Sequence, residues 1–264
     1  MSRFFPQDSY RTAADSPRAL LDRLWPNPPL YFYASYILIV ARARLLVARG
    51  RYDQDAWAHS AYAVLKLLER CSGRFHITGL DQIRSCTEPV VFIGNHMAGI
   101  EASIWPCLVP ADMPIAFVVK ASLLKYPVLG PVVASQQPIA IDRSNPREDF
   151  EMVMTQGVAL LNQGVSLIIF PQSTRTTRFV LSEFNSLGVK VARKANVQVI
   201  PVAVKTDFWQ NGRRLRDFGP LDRRQPIHLA FGRPLLAAAN GRDTHRAVVE
   251  FITRRLAEWN MGTY

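Results

Sequence analysis

Cysteine is scarce in this 264-residue sequence, which contains only Cys71, Cys86 and Cys107. Their irregular spacing matches neither the paired pattern of a metal site nor the pattern of a disulfide framework. We therefore predict no metal and no disulfides, and we expect a reducing compartment. None of the three thiols lies in a pattern typical of a catalytic nucleophile.

Signatures of several other protein classes are also missing. The sequence has no internal repeat, no low-complexity tract and no Gly-X-Ser-X-Gly motif, which argues against Ser173 as a covalent nucleophile. Zinc fingers, recognition helices and the aromatic motifs of RNA-binding domains are absent as well. We therefore predict that nucleic acid is not a partner.

Positive charge dominates, because 32 Lys and Arg residues against 21 Asp and Glu residues leave a net charge of +11. Such an excess predicts a polyanionic partner. With nucleic acid disfavoured, the candidates are an anionic membrane surface and an acidic carrier or coenzyme. The basic residues cluster at residues 42–44, 49–51, 193–194, 213–216 and 223–224. Each cluster alone is explained by a solvated face, but together they would hold the protein against anionic headgroups, at about 1 kcal/mol per residue near the surface.

A long uninterrupted apolar run is missing, and residues 30–40 come nearest to one. This run is too short to span a bilayer, which needs about 20 apolar residues. It also follows Trp25 and a proline-rich stretch, so a cleavable signal is not predicted. Two interpretations stay open: an interfacial anchor with tyrosines at headgroup depth, or a helix packed on the core. Residues 54–70 continue as an amphipathic helix.

Alternation of strands and helices predicts the fold class. Apolar strand candidates lie near residues 90–95, 114–120, 138–142, 166–170, 197–204 and 226–232. Helical patterns lie near residues 101–109, 147–163, 182–195 and 243–259. This order predicts an α/β fold with a largely parallel sheet flanked by helices. We divide the chain into an N-terminal helical, membrane-associating region (1–72) and an α/β domain (73–264).

The most informative motif is Asn-His-Met-Ala-Gly-Ile-Glu at residues 95–101, directly after a buried strand. Residues five apart on one helix would point about 140° away from each other. The helix is predicted to begin at Gly99 or Ile100, which leaves His96 in the preceding turn. Glu101 can then reach back to one nitrogen of the imidazole ring. A base held by a carboxylate is the arrangement that deprotonates a hydroxyl.

Three further segments follow at the spacing of successive strands: residues 120–130 with 138–143, residues 167–175, and residues 199–204. Together with the His96 motif, they resemble the four ordered blocks of the glycerolipid (lysophospholipid) acyltransferase family. Those blocks read Asn-His-X4-Asp, a segment ending in Asp-Arg, Phe-Pro-Glu-Gly-Thr-Arg, and a strand with proline. The resemblance covers roughly residues 75–235.

The resemblance implies transfer of a fatty acyl group from acyl-coenzyme A or acyl carrier protein to a hydroxyl of a lysophospholipid similar to 1-acylglycerol-3-phosphate. His96 and Glu101 would be catalytic. Five residues would bind substrate: Arg143, Gln172, Ser173, Thr174 and Arg175. Both arginines follow predicted strands, where planar guanidinium groups suit a phosphate. The thioester is a co-substrate, so no cofactor is implied, and the expected location is the cytoplasmic face of a membrane, as a peripheral or monotopic protein.

Two departures from the family pattern leave alternatives open. Glu101 replaces the usual aspartate, and Gln172-Ser173 replaces Glu-Gly. A neutral amide removes one negative charge and adds hydrogen-bond donors, so a preferred acceptor other than the family's commonest one stays an open alternative. One alternative is a lipid-binding homologue that has lost the chemistry. Another is a hydrolase or transacylase that uses the same histidine base.

Overall fold

Short apolar strands and amphipathic helices alternate along the chain in a computed structural model that describes residues 4–25, 29–172, 174–212, 216–237 and 241–260. The strands are β1 (Ser9–Arg11), β2 (Phe75–Thr78), β3 (Val90–Gly94), β4 (Ile115–Lys120), β5 (Ile139–Ile141), β6 (Ser166–Ile169), β7 (Gln198–Lys205), β8 (Ile227–Phe231) and β9 (Leu235–Leu236). The helices are α1 (Leu20–Leu24), α2 (Leu30–Ala48), α3 (Gln54–Arg70), α4 (Leu80–Arg84), α5 (Ile100–Ile104), α6 (Leu129–Ala134), α7 (Pro146–Asn162), α8 (Leu187–Ala195) and α9 (Gly241–Asn260). Three 3₁₀ turns lie at Trp105–Cys107, Ala121–Lys125 and Leu181–Glu183.

The strands form a mixed sheet in the order β1-β2-β8-β7-β3-β6-β4-β5, with β9 paired to β7. The pairs of β3 with β6 and β7, of β4 with β5 and β6, and of β2 with β8 are parallel. The pairs β1–β2, β7–β8 and β7–β9 are antiparallel. Every residue of β3 and β6 is buried, which is why these strands read as continuous apolar runs. The predicted α/β class is therefore confirmed.

Helices cover both faces of the sheet, as successive side chains of β3 demonstrate. The ring of Phe92 contacts Trp105, which belongs to the turn after α5. The neighbouring Ile93 points the opposite way and touches Gly188 of α8 so closely that a Cβ there would lie 2.8 Å from its Cδ1. Alternation along a strand places consecutive side chains on opposite faces. The core therefore lies in two layers, one on each side of β3.

Several short elements were not predicted from the sequence. They are β1, β2, β9, α1, α4 and α6, all of two to six residues, which are too short for a clear hydrophobic period. Helix α8 begins at Leu187 instead of near residue 182, because Leu181–Glu183 forms a separate 3₁₀ turn. The division at residue 72 stays a prediction, although β1 pairs with β2 across it.

Helix α2 corrects one sequence prediction. The apolar run was expected to end near residue 40, but the helix continues through Arg42 and Arg44 to Ala48 and is 19 residues long. By length and composition alone it is long and apolar enough to cross a membrane, and 11% of its most apolar 18-residue window is buried. Phe32 and Ala43 are buried, and α2 packs against α3 and α6. The prediction that this segment is too short to span a bilayer was therefore wrong.

Candidate active site

The candidate site lies at the carboxyl ends of β3, β6 and β7, which are parallel neighbours in the sheet. Carboxyl ends of parallel strands meet at one edge, where ligands bind in open α/β sheets. His96 follows β3 by two residues, Phe170 directly follows β6, and Thr206 directly follows β7. Residues far apart in the sequence are thereby brought together at this edge.

The turn that carries His96 is held from both sides by the segment after β6. The backbone N–H of His96 donates to Oε1 of Gln172 at 2.9 Å. The backbone N–H of Thr176 donates to the carbonyl of His96 at 3.0 Å. The imidazole stacks on the ring of Phe170, with centroids 4.5 Å apart and planes 12° from parallel. Because these contacts fix the backbone and one face of the ring, the imidazole has a defined orientation. The side chain of His96 is 19% exposed.

Glu101 is fully buried beside this turn and accepts several hydrogen bonds. Its Oε1 accepts from the backbone N–H groups of Met97 at 2.7 Å and Ala98 at 3.0 Å, and from the hydroxyl of Thr206 at 2.9 Å. The distance from Oε1 to Nδ1 of His96 is 3.7 Å, which is longer than a hydrogen bond but within ion-pair range. Nδ1 is buried and has no hydrogen-bond partner in the described part of the chain. Glu101 therefore holds the turn through hydrogen bonds, and its carboxylate lies close enough to interact with the charge of a protonated imidazole.

The Glu101 carboxylate is ionised at neutral pH in spite of its burial. Burial acts to raise the pKa of Glu101, but the adjacent His96 and the backbone N–H of Met97 outweigh it and hold the pKa below the ordinary value. Donors aimed at a carboxylate favour its charged form. At neutral pH the site thus contains a negative charge next to Nδ1 of His96.

Gln172, predicted from the sequence as a substrate-binding residue, lies against the backbone of His96. It is 3% exposed, and its Oε1 is used by the His96 N–H. Its Nε2 is buried without a hydrogen-bond partner among the described residues. This arrangement indicates that Gln172 holds the turn that carries His96. Contact between Gln172 and a substrate stays a prediction.

Arg175 lies close to this turn. We call Arg175, Arg216 and Arg143 the arginine cluster, because Arg216 binds the residue before Arg175 and its charge acts on Arg143. A Cβ at Gly99, just ahead of α5, would lie 3.6 Å from Nη1 of Arg175. Nη1 of Arg216 donates to the hydroxyl of Thr174. Three predicted substrate-binding residues, Arg143, Thr174 and Arg175, are thus in or beside the cluster, while Ser173 lies outside the described residues.

Arg143 has an unusual backbone conformation. It follows β5 by two residues, has a φ of 63°, and its N–H donates to Oδ2 of Asp149 at 2.9 Å. Desolvation lowers the pKa of Arg143, Asp149 raises it, and the positive charge of Arg216 lowers it, with a net decrease. The positive charges of Arg143 and Arg216 therefore act on each other, and an anion near both would be attracted to both.

An acidic residue already occupies part of the cluster. Nη2 of Arg175 donates to Oδ1 of Asp217 at 2.6 Å, and the hydroxyl of Tyr126 donates to Oδ2 of Asp217 at 3.2 Å. The side chain of Arg175 is 18% exposed and that of Asp217 is 36% exposed. The guanidinium predicted to bind phosphate is therefore paired within the chain.

The sequence analysis missed several residues that shape the site, among them Asn95 and Thr206. Asn95 donates to the carbonyl of Val204 at 2.8 Å and accepts from its N–H at 2.9 Å, so it ties the end of β3 to β7. Thr206 binds Glu101 from the end of β7. The position of Thr206 directly after a strand ending at this edge was the available signal, because the His96 and Arg175 motifs have the same placement. Among the described residues, no cluster of three or more His, Cys, Asp or Glu side chains could hold a metal ion.

Comparison with known proteins shows the family to which the chain belongs. The sequence profile described as Acyltransferase matches residues 74–205, which is half of the chain and includes β2 to β7. The chain therefore belongs to the acyltransferase family, as its four motifs predicted.

The relatives carry closely similar names. A 1-acyl-sn-glycerol-3-phosphate acyltransferase from Pseudomonas aeruginosa is 29% identical over 195 residues, or 73% of this chain and 72% of the relative. A chloroplastic 1-acyl-sn-glycerol-3-phosphate acyltransferase from Arabidopsis thaliana is 24% identical over 131 residues, which is 50% of this chain but only 36% of that relative. The crystal structure of the 1-acyl-sn-glycerophosphate (LPA) acyltransferase PlsC from Thermotoga maritima matches with a TM-score of 0.65 at 20% identity, covering 87% of this chain and 93% of that one. This likeness shows that the two chains share a fold.

Proposed function

We propose that this acyltransferase moves a fatty acyl group from an acyl thioester to a hydroxyl of a lysophospholipid of the 1-acylglycerol-3-phosphate type. The single observation that carries the proposal is the juxtaposition of a carboxylate-flanked imidazole with the arginine cluster at one sheet edge. The first supplies a base for a hydroxyl, and the second supplies donors for a phosphate. The names of the relatives support the same acceptor.

In this mechanism, Nε2 of His96 accepts the proton of the acceptor hydroxyl as its oxygen attacks the thioester carbonyl. The tetrahedral intermediate collapses, the carbon–sulfur bond breaks, and the thiolate leaves with the proton from the imidazolium. Glu101, 3.7 Å from Nδ1, stabilises the imidazolium while it exists. No acyl group is attached to the protein, because the acceptor itself is the nucleophile.

The donor in this proposal is acyl-coenzyme A or acyl carrier protein. Both carry their acyl group on a phosphopantetheine thiol and are anionic. The net charge of +11 suits either of them. Neither requires a resident cofactor, because the thioester brings its own activated carbonyl.

The test is thiol release from a panel of both donor types at several chain lengths, with 1-acylglycerol-3-phosphate, with neutral monoacylglycerol, and with no acceptor. Release that depends on the phosphate-bearing acceptor is expected. Release without any acceptor would instead identify a hydrolase. A panel without any release would reject the proposed activity and favour a lipid-binding role.

Arg175 provides a test of the phosphate contact. Arg175→Ala removes a guanidinium that can bind a phosphate through two N–H donors. The KM for 1-acylglycerol-3-phosphate is therefore expected to rise about tenfold or more, as for loss of a charge-assisted hydrogen-bond pair. The KM for monoacylglycerol should change much less. Steady-state kinetics with both acceptors make the comparison, and equal increases would remove the phosphate role from Arg175.

We further propose that α2 binds the protein to a membrane at its cytoplasmic face. Leu38 and Leu45 are 61% and 54% exposed on this helix, and Arg42 and Arg44 lie between them in the sequence. Exposed apolar surface next to basic side chains matches a membrane whose headgroups are anionic. A surface enzyme in this position would take its lysolipid directly from the bilayer.

A single charge tests this membrane contact. Leu38→Glu is expected to weaken binding to phosphatidylglycerol-containing vesicles about tenfold, because burying a leucine contributes about 1.5–3 kcal/mol and a carboxylate is repelled. Vesicle co-sedimentation measures the change. Leu236→Glu, at a residue of β9 that is 77% exposed, is the matched control and should bind as the wild type does. Equal binding by both variants would leave α2 as a helix packed on the protein.

A further inference from the structure

We propose that Asp217 is an internal competitor for the acceptor's phosphate, which weakens its binding at Arg175 and speeds release of the phosphate-bearing product. The inference rests on the proposed function, since it concerns the same arginine. It assigns a role to a residue that none of the four sequence motifs contains.

The first support is geometric. A carboxylate oxygen 2.6 Å from Nη2 takes the position that a phosphate oxygen would occupy in a bidentate contact with Arg175. Tyr126 holds the other oxygen of Asp217 at 3.2 Å, so the carboxylate is oriented toward the guanidinium. A phosphate must displace this carboxylate or bind beside it. Both cases oppose binding, the first through a lost ion pair and the second through repulsion between like charges.

The second support is the anchoring of the segment that carries Asp217. The hydroxyl of Tyr33 in α2 donates to the carbonyl of Gly219 at 2.5 Å, and its ring packs on Phe218 at 5.1 Å between centroids. Farther along, Arg223 donates to the fully buried Asp22 of α1 at 2.6 Å. A carboxylate fixed on such a segment stays close to Arg175 after displacement. It is therefore available to pair with Arg175 again when the product leaves.

The consequence for turnover follows from the chemistry of product and substrate. Both carry the same phosphate, so a cluster of unpaired arginines would retain the product as firmly as it binds the acceptor. A competing carboxylate lowers both affinities by the same mechanism. It replaces the product's phosphate without requiring water to solvate a bare guanidinium.

The experiment compares wild type, Asp217→Asn and Asp222→Asn. Asp222 lies on the same segment but binds the exposed Arg224, at 2.9 Å, so its replacement removes the same charge without touching Arg175. Titration calorimetry with inorganic phosphate and with 1-acylglycerol-3-phosphate measures affinity directly. Asp217→Asn is expected to bind both about three- to tenfold more tightly, the range for a partly exposed ion pair that no longer competes. Asp222→Asn should stay within about twofold of wild type.

Kinetics give the second reading. In Asp217→Asn, the ratio of KM for 1-acylglycerol-3-phosphate to KM for monoacylglycerol should fall, and inhibition by the diacyl product should strengthen by a similar factor. The double variant Arg175→Ala/Asp217→Asn should show no gain over Arg175→Ala. Unchanged or weaker phosphate binding by Asp217→Asn would overturn the proposal and make Asp217 a residue that orients Arg175. Because calorimetry needs no turnover, a protein that fails to transfer acyl groups would reject the proposed function while still deciding the role of Asp217.

Discussion

His96→Ala is expected to lower kcat for acyl transfer by about 10²–10⁴-fold, the usual contribution of a positioned general base. The imidazole is the only part removed, and the backbone contacts with Gln172 and Thr176 do not depend on it. Folding and binding of the phosphate-bearing acceptor should therefore persist. Thiol release measures the loss of turnover, and calorimetry measures the retained binding.

The control for this variant is His59→Ala, at a histidine of α3 whose side chain is 60% exposed, lies 3.7 Å from Asp55 and packs edge-on against Phe4, far from the candidate site in the sequence. It should keep full activity. Normal turnover in His96→Ala would end the assignment of His96 as the base. Loss of acceptor binding together with turnover would instead assign His96 to the binding of the acceptor.

Glu101→Ala is expected to destabilise the protein by about 3–5 kcal/mol, because it leaves several buried donors without an acceptor. Those donors are the backbone N–H groups of Met97 and Ala98 and the hydroxyl of Thr206. Urea unfolding followed by tryptophan fluorescence measures the free energy of unfolding. A loss below about 1 kcal/mol would show that these groups find other partners.

Glu101→Gln keeps an acceptor oxygen at the same place but removes the negative charge. It therefore separates the contribution of the charge to stability from that of the hydrogen bonds. The folded protein holds the pKa of Glu101 below its ordinary value of 4.5, so ionised Glu101 stabilises the fold at any pH above that value. This contribution is lost as the pH falls through the lowered pKa. The wild type should therefore be more stable than Glu101→Gln at pH 7, and the difference should shrink below about pH 4.5. If the difference in free energy of unfolding between the two proteins does not vary with pH, the charge of Glu101 does not contribute to stability.

The same contacts explain how far the sequence alone could lead. His96 and Glu101 were predicted because a turn between a strand and a helix is a local pattern. The link from Thr206 to Glu101 spans 105 positions, and no local pattern indicates it. The role of Gln172 was hidden for the same reason, since its acceptor oxygen meets a backbone group 76 positions away. Contacts of this kind exist only once the sheet has formed.

The strands of the fold also differ in how far their own sequence predicts them. Strands β3, β6 and β7 were predicted because each is a buried apolar run between clear turn signals. Strands β1 and β9 have three and two residues, so pairing with β2 and β7 determines them more than their own composition does. The sequence pattern underestimates the extent of α2, because Arg42 and Arg44 interrupt the apolar run although they lie inside the helix.

The substitution of glutamate for the family's usual aspartate also has a physical meaning here. The additional methylene lets the carboxylate of Glu101 extend back past the first turn of α5 to the N–H groups of Met97 and Ala98. One side chain thus closes the turn and presents charge to the ring of His96. The substitution is consistent with an intact base, and the His96→Ala experiment is the direct test.

The ion pair between Asp22 and Arg223 has a practical consequence for shortened versions of this protein. Asp22 has no exposed surface and also binds Nε of Arg18 at 2.6 Å. Trimming the chain ahead of α2 to improve handling would remove this carboxylate from Arg223 and uncover the surface that Asp22 and Arg223 bury together. The damage would reach residues 216–223 beside the arginine cluster. A trimmed protein that fails to turn over would therefore say little about whether its first helices are needed for contact with lipid.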